Sequence, residues 1–346
     1  MASIDLLKGL VMVIMALDHV RDFLHVSAFF GDPSDPLHST LPTFFTRFIT
    51  HLCAPAFCFL AGTSAYLSGR RMAPGELSTS LVKRGLWLIL MEMTVVNFGW
   101  FFDWRLRNTG LLVIWSLGVS MIALAALKHL PWRVLFGFCI IMIAGHNLLD
   151  GYHAEGNLLW AIVHESAFIS TPYVDVFVFY PLVPWIAVMA LGYCFGRFYE
   201  PSVDGAVRRR MLAITGAVSL LLFLVLRATN VYGDADVFTV HDDFSRSLMS
   251  FFHLSKYPPS LQYLLATLGI SFLFLAATER STGRLARVLS TFGRVPFFYY
   301  ILHIYLIHLL TMIYAQLTGY GWQTLILDRW VSEVPGLQGF GLELGL

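Results

Sequence analysis

The side chains best suited to chemistry crowd into the first apolar run of the chain. Asp5, Lys8, Asp18, His19, Arg21, Asp22 and His25 all fall in or at the ends of one candidate helix. A charge in a bilayer costs about 2.5–3.5 kcal/mol on insertion scales, so each of these needs a reason to be there. Lys8 and His19 stand three helical turns apart on nearly the same face, and Met12 and Met15 continue that face between them. Asp18 is the neighbour of His19. A carboxylate beside an imidazole can orient it and raise its basicity, which is what a general base requires. Asp18 and His19 are therefore the candidate catalytic pair. Asp22 lies four residues from Asp18, and His25 four from Arg21. The same residues also suit a self-neutralised cluster at the far end of the helix, with Arg21, Asp22 and His25 snorkelling to the interface.

Further polar groups interrupt later apolar runs. Arg47 and His51 are spaced i,i+4 and can either join the first helix across a cavity or anchor their own helix at the interface. Glu92 sits near the middle of a run, where a protonated carboxyl, a pair with Lys8 or a structural pair are all open. Tyr299 and His303 share a face of the last run, which also carries His308; a satisfied helix–helix hydrogen bond is the plain alternative there. Ala54, Cys58, Ala61 and Ala65 form a small-residue stripe suited to close helix packing. Pro181 and Pro184 stand where a span would lose backbone hydrogen bonds, as happens beside a cavity.

The elements that must position these groups are membrane helices. Hydrophobic residues make up 57% of the 346, charged residues only 13%, and mean hydropathy is +0.68. Soluble domains carry roughly a quarter charged residues. A span needs about 20 mostly apolar residues, and such runs lie at about 4–26, 44–68, 81–101, 109–127, 132–149, 174–196, 211–227, 260–278 and 290–317. The expected fold is all-α: one polytopic domain over 1–346 with about nine transmembrane helices. Lys and Arg concentrate in alternate short loops, at Arg70, Arg71, Lys83 and Arg84, then Lys128 and Arg133, then Arg197 and Arg208 to Arg210, then Arg280, Arg284 and Arg287. Those loops are expected in the cytoplasm together with the N-terminus; Arg105 and Arg107 dissent. The long segments 27–43, 150–173 and 228–259 then lie outside, with eleven of the twelve histidines mid-membrane or outward and His129 inside. A net charge of +1 gives no field for nucleic acid. Cys53, Cys58, Cys139 and Cys194 lie in apolar runs, so free thiols are expected. No metal-type spacing appears, and no metal is expected.

Five stretches in order carry a resemblance. They are Ser3-Ile4-Asp5-Leu6-Leu7-Lys8-Gly9-Leu10 leading to Asp18-His19; Phe59-Leu60-Ala61-Gly62-Thr63-Ser64; Tyr180-Pro181 through Pro184-Trp185 to Ala190-Leu191-Gly192-Tyr193; Lys256-Tyr257-Pro258-Pro259-Ser260-Leu261; and Gly293-Arg294-Val295-Pro296-Phe297-Phe298-Tyr299 before Leu302-His303. Together they resemble bacterial members of the heparan-alpha-glucosaminide N-acetyltransferase catalytic-domain family, within a superfamily of transmembrane acyltransferases. The resemblance implies an enzyme of the bacterial inner membrane. It would move an acyl group, acetyl foremost, from cytosolic acetyl-CoA to an amine or hydroxyl of a sugar-type or glycan acceptor on the outer side. The related acyltransferase-3 proteins carry a basic residue and a His eleven apart on their first helix, as Lys8 and His19 are here, with Lys in place of the usual Arg. In the lysosomal member the position matching His19 is Asn and the catalytic His lies past the helix, so His19, His25 and other outer histidines compete for the role; His19 is the expectation. Relatives usually continue into one more spanning helix with basic residues. This chain stops at Gly336-Leu337-Gln338-Gly339-Phe340 and a short tail, so that helix is expected to be lacking.

On this reading Lys8, Lys83, Arg84 and Arg294 bind the acyl-CoA, and Asp22, His25, Arg47, His51, Tyr299 and His303 the acceptor. A homo-oligomer is compatible with it. A transporter or flippase uses broken helices and intramembrane charges equally well, although no internal repeat relates the two halves. A catalytically silent partner subunit is the third reading.

Overall fold

In a bilayer an apolar run must satisfy its own backbone, which only helices and closed barrels achieve. Helices dominate the computed structural model, which describes residues 2–26, 35–37, 39–329, 331 and 334–343. The chain forms α1 (Ala2–Leu24), α2 (Leu41–Thr50), α3 (Cys53–Gly69), α4 (Pro74–Met91), α5 (Asn97–Phe101), α6 (Val113–Leu127), α7 (Trp132–Gly145) and α8 (Leu158–Val163). There follow α9 (Leu182–Phe195), α10 (Gly205–Thr229), α11 (Phe244–Phe252), α12 (Leu261–Thr278), α13 (Arg284–Arg294) and α14 (Pro296–Leu317). Among the described residues six helical stretches are long and apolar enough to cross a membrane: Leu41–Gly69, Trp132–Leu149, Leu182–Tyr199, Gly205–Thr229, Leu261–Thr278 and Pro296–Leu317. The other three expected spans are helical over most of their length, 109–127 only from Val113 on. However, α1 carries five charges, α4 opens on a polar turn, and α6 has only 15 residues.

Contacts define two ends of the bundle. At one, Ser3 donates to Glu279 at 3.2 Å, Arg208 pairs with the same carboxylate, Tyr66 donates to Glu200, and Ser78 meets His129 at 3.0 Å. At the other, Leu261 N–H donates to Asn147 at 2.9 Å and Leu327 N–H to the Phe101 carbonyl at 2.8 Å, while Leu342 N–H caps Leu24 at 2.6 Å. The segment after α14 folds back there and buries Leu325, Leu327, Leu337 and Phe340. Residues 27–34 and 38 of the expected outer loop 27–43 lie outside the described residues.

Several helix pairs meet at glycines, α3 with α9 and α1 with α13 most closely. A Cβ on Gly62 would strike the Met189 carbonyl and one on Gly192 the Phe59 carbonyl, so α3 and α9 touch backbone to backbone. Gly9 and Gly293 do the same for α1 and α13. Of the small-residue stripe on α3, Cys58 faces α9 and bonds the Trp185 carbonyl at 3.1 Å. Ala54, Ala61 and Ala65 also border a cavity, where their smallness leaves space.

Local chemistry redraws two of the runs. The run 44–68 breaks between α2 and α3. Pro55 has no N–H to return to the His51 carbonyl, and that carbonyl accepts from Tyr263 Oη at 2.8 Å. The run 174–196 begins as a strand and turns helical only at Leu182. Pro181 precedes α9 and Pro184 lies in its first turn, where N–H groups have no helical partner; these prolines start a helix and break none. The all-α expectation misses a small sheet of β1 (Asn108–Leu111), β2 (Ala167–Ser170) and β3 (Asp175–Val178). Its order is β1-β3-β2, with β1 and β3 parallel, Asn108 opposite Asp175, and β2 antiparallel to β3.

Candidate active site

The face of α1 that carries Lys8, Met12, Met15 and His19 borders a cavity of about 270 Å³. Eleven residues at 1.5 Å each put His19 about 16 Å along the helix from Lys8. Ala54, Phe57, Ala61, Ser64 and Ala65 of α3 supply a second wall at i,i+3 and i,i+4 spacing. Lys8 donates to Ser64 at 2.7 Å, and Arg84 of α4 and Phe297 of α14 line the cavity as well. The part beside His19 adds Asp18, Thr50, Tyr180, Lys256 and Tyr300.

His19 is held by a second histidine. His303 Nδ1 lies 2.7 Å from the Tyr299 carbonyl, which can only accept, so that nitrogen carries the proton. The other nitrogen of a neutral His303, Nε2, is then an acceptor. It lies 2.7 Å from His19 Nδ1, which must donate to it. The rings are parallel within 4° with centroids 4.8 Å apart. Trp100 packs its edge against His19 at 4.9 Å, and Tyr300 does so at 6.0 Å. This donor chain leaves the His19 Nε2 lone pair available at the cavity wall.

Asp18 does not hold that imidazole. Its carboxylate accepts from Arg21, from Arg47 at 2.8 Å and from Thr50 at 2.9 Å, and the Lys256 ammonium is 3.9 Å away. Neighbours in a helix point in different directions, so adjacency in sequence does not make Asp18 and His19 a bonded pair. With Asp22, 3.1 Å from Arg21, two carboxylates meet three cations beside His19.

The other expected site residues divide. Arg47 reaches the Asp18 cluster. The buried His51 ring packs on Phe48 and Tyr263. His25 ends α1, half-buried, where its backbone bridges to Leu342. Tyr299 stacks on His303 and contributes its carbonyl. Of the four expected donor-binding residues, Lys8 and Arg84 line the cavity. Lys83 is exposed away from it, and Arg294 is 72% exposed, 3.9 Å from Asp5. Glu92 does not pair with Lys8, which bonds Ser64. Buried in a π-helical turn, Glu92–Val96, it accepts from Trp115 N–H at 2.8 Å and caps the start of α6. His308 ties α14 to the Gly99 and Leu325 carbonyls, both at 2.9 Å.

Sequence reasoning overlooked Lys256, Tyr300 and Trp100 as site residues. Lys256 lies in a loop with no periodicity, and its only signal is the Lys-Tyr-Pro-Pro string. The loop is fixed by Asp234, whose carboxylate accepts from Ser260 Oγ at 2.5 Å and Ser255 N–H at 3.3 Å. Burial pushes the Asp234 carboxyl up to about 6, against the lowering effect of the Ser260 bond. The four cysteines are buried free thiols.

Residues 1–228 match the profile of the family described as "Heparan-alpha-glucosaminide N-acetyltransferase, catalytic". Lys256, Tyr300 and His303 fall beyond the matched residues. No curated protein matches the chain.

Proposed function

The chain belongs to the heparan-alpha-glucosaminide N-acetyltransferase catalytic family, a family of membrane acetyltransferases, and from that premise we propose that it carries acetyl from cytosolic acetyl-CoA to an amine or hydroxyl of a sugar-type acceptor on the outer side of a bacterial inner membrane. The observation that carries the proposal is the cavity, with Lys8 and Arg84 toward one end and an available imidazole nitrogen toward the other. All nine helical runs cross the membrane, with the N-terminus and the basic loops inside. Charged α1 can cross because Lys8, Asp18, Arg21 and Asp22 are paired or face the cavity.

Acetyl-CoA enters at the basic mouth. Its phosphates meet Arg84, with Arg294 at the rim, and its pantetheine arm lies along the Lys8–His19 face. The acceptor arrives from the His19 side. His19 Nε2 takes the acceptor proton as the nitrogen or oxygen bonds to the acetyl carbonyl carbon. The C–S bond then breaks, and the CoA thiolate leaves and recovers that proton from the imidazolium. His303 holds His19 in the tautomer this requires. Lys256 supplies positive charge where the oxyanion develops.

The test is acceptor-dependent release of CoA thiol by protein purified in detergent, with glucosamine as acceptor, alongside acetyl-CoA binding. Wild type is expected to bind acetyl-CoA and release thiol. His19→Ala should still bind but lose about 10²–10⁴-fold in rate, and Arg84→Ala should bind more weakly. Absence of acetyl-CoA binding by the wild type would overturn the proposal. Unchanged thiol release in His19→Ala would move the base to another residue.

A further inference from the structure

At the end of the bundle where α7 finishes, His146, Asp150 and His164 each bring a ligand-type atom within 4.8 Å of the other two. None of them lines the cavity beside His19. His146 is 3% exposed, and neither of its ring nitrogens has a hydrogen-bond partner. His164 is 2% exposed; one nitrogen lies 3.0 Å from Asp150 Oδ1 and the other, Nδ1, has no partner. The two rings are 5.6 Å apart. Buried polar nitrogens without partners are costly unless something fills the site.

We propose that His146, Asp150 and His164 bind one zinc-class divalent ion, with water completing the coordination. Two imidazoles and one carboxylate suit a borderline metal; Mg²⁺ and Ca²⁺ prefer all-oxygen sets. Tetrahedral zinc with bonds of about 2.0–2.1 Å sets its donors roughly 3.3 Å apart, so binding draws the three groups together by up to about 1.5 Å. A supporting shell is in place. Asn147 Nδ2 donates to Asp150 Oδ2 at 2.8 Å, and Asn147 Oδ1 accepts from Leu261 N–H at 2.9 Å. Such partners fix the orientation of a metal-bound carboxylate. Asp150 and Asn147 also border a polar cavity of about 240 Å³ that contains Asp234 and Asp236, a region of negative charge through which a cation would approach. The ion would tie the end of α7 to α8 and, through Asn147, to the start of α12.

The experiment uses tag-free full-length protein in detergent. Metal content is measured by mass spectrometry, and Zn²⁺ is then titrated into chelator-stripped protein against a chromophoric competitor. One Zn²⁺ per chain is expected, undisturbed by excess Mg²⁺, with a thermal midpoint that rises on loading. His146→Gln/His164→Gln should lose stoichiometric binding, and Asn147→Ala should weaken it about 10–100-fold. His153→Gln, altering a histidine that pairs with Glu165, should bind as wild type does. Wild type that neither retains zinc nor binds it at micromolar concentration would overturn the proposal, whatever the variants do. So would a folded double variant that binds as tightly as wild type.

Discussion

At the scale of single residues the site turns on which group holds His19. Sequence proximity favours Asp18, but side chains one position apart on a helix diverge, and those three or four apart meet. Asp18 accordingly finds Arg21 one turn on, and Arg47 and Thr50 from α2. The partner of His19 comes from α14, 284 positions away, a contact that no spacing rule reaches. The Lys8-Met12-Met15-His19 face was legible because helical periodicity alone defines it. If His303 fixes the tautomer of His19, the two kinds of His303 substitution should behave differently. His303→Gln can still accept the His19 N–H through its amide oxygen; His303→Ala cannot. His303→Ala should lower kcat by about 10–100-fold with little change in acetyl-CoA binding, and His303→Gln should recover part of that loss. Equal loss in both, together with a lower thermal midpoint, would show that His303 acts only in packing.

Among elements, the expected helices were present, but their ends were not where apolarity alone put them. Proline chemistry set the ends at Pro55, Pro181 and Pro184, and strand pairing claimed 175–178. Glycine contacts, which no single sequence discloses, set the helix crossings. A Cβ on Gly192 meets the Phe59 backbone, which cannot move aside, whereas Gly137 in α7 has nothing within 4 Å. Gly192→Ala should therefore destabilise the protein by about 1–3 kcal/mol or more. Gly137→Ala should stabilise it by about 0.5–1 kcal/mol. Paired thermal melts in one detergent test both. Asp234 offers a second test, through pH. It fastens the loop that delivers Lys256, and burial raises its carboxyl to about 6 from an unfolded value of about 3.9. A carboxyl that ionises less readily when folded stabilises the fold at low pH, and this contribution is lost as pH rises from about 4 through about 6. Asp234→Asn stays neutral throughout. The midpoint of the variant relative to wild type should therefore climb between pH 4 and 6.5 and level off above pH 7. A difference that does not vary with pH would mean the carboxylate ionises as freely folded as unfolded.

For the whole molecule, six helical stretches qualify as spans by length and composition, and the proposed topology adds α1, α4 and α6. For α1 the difference lies in where charge points. Counting apolar residues averages over a helix, but a bilayer sees only its lipid-facing surface, and α1 turns its charges toward partners and cavity. Sidedness then follows from the basic loops, which the contacts of Ser3, Arg208 and Glu279 gather at the end where α1 begins. That end should be cytoplasmic. The native thiols are buried, so cysteines introduced at exposed positions should label over a low background. Glu155→Cys, in the loop between α7 and α8, should react with a membrane-impermeant maleimide on intact cells. Arg71→Cys, between α3 and α4, should react only after permeabilisation. The reverse pattern would put the mouth bordered by Lys8 and Arg84 outside, where no acetyl-CoA is supplied, and the proposed direction of transfer would fail even if every residue of the site were correctly assigned.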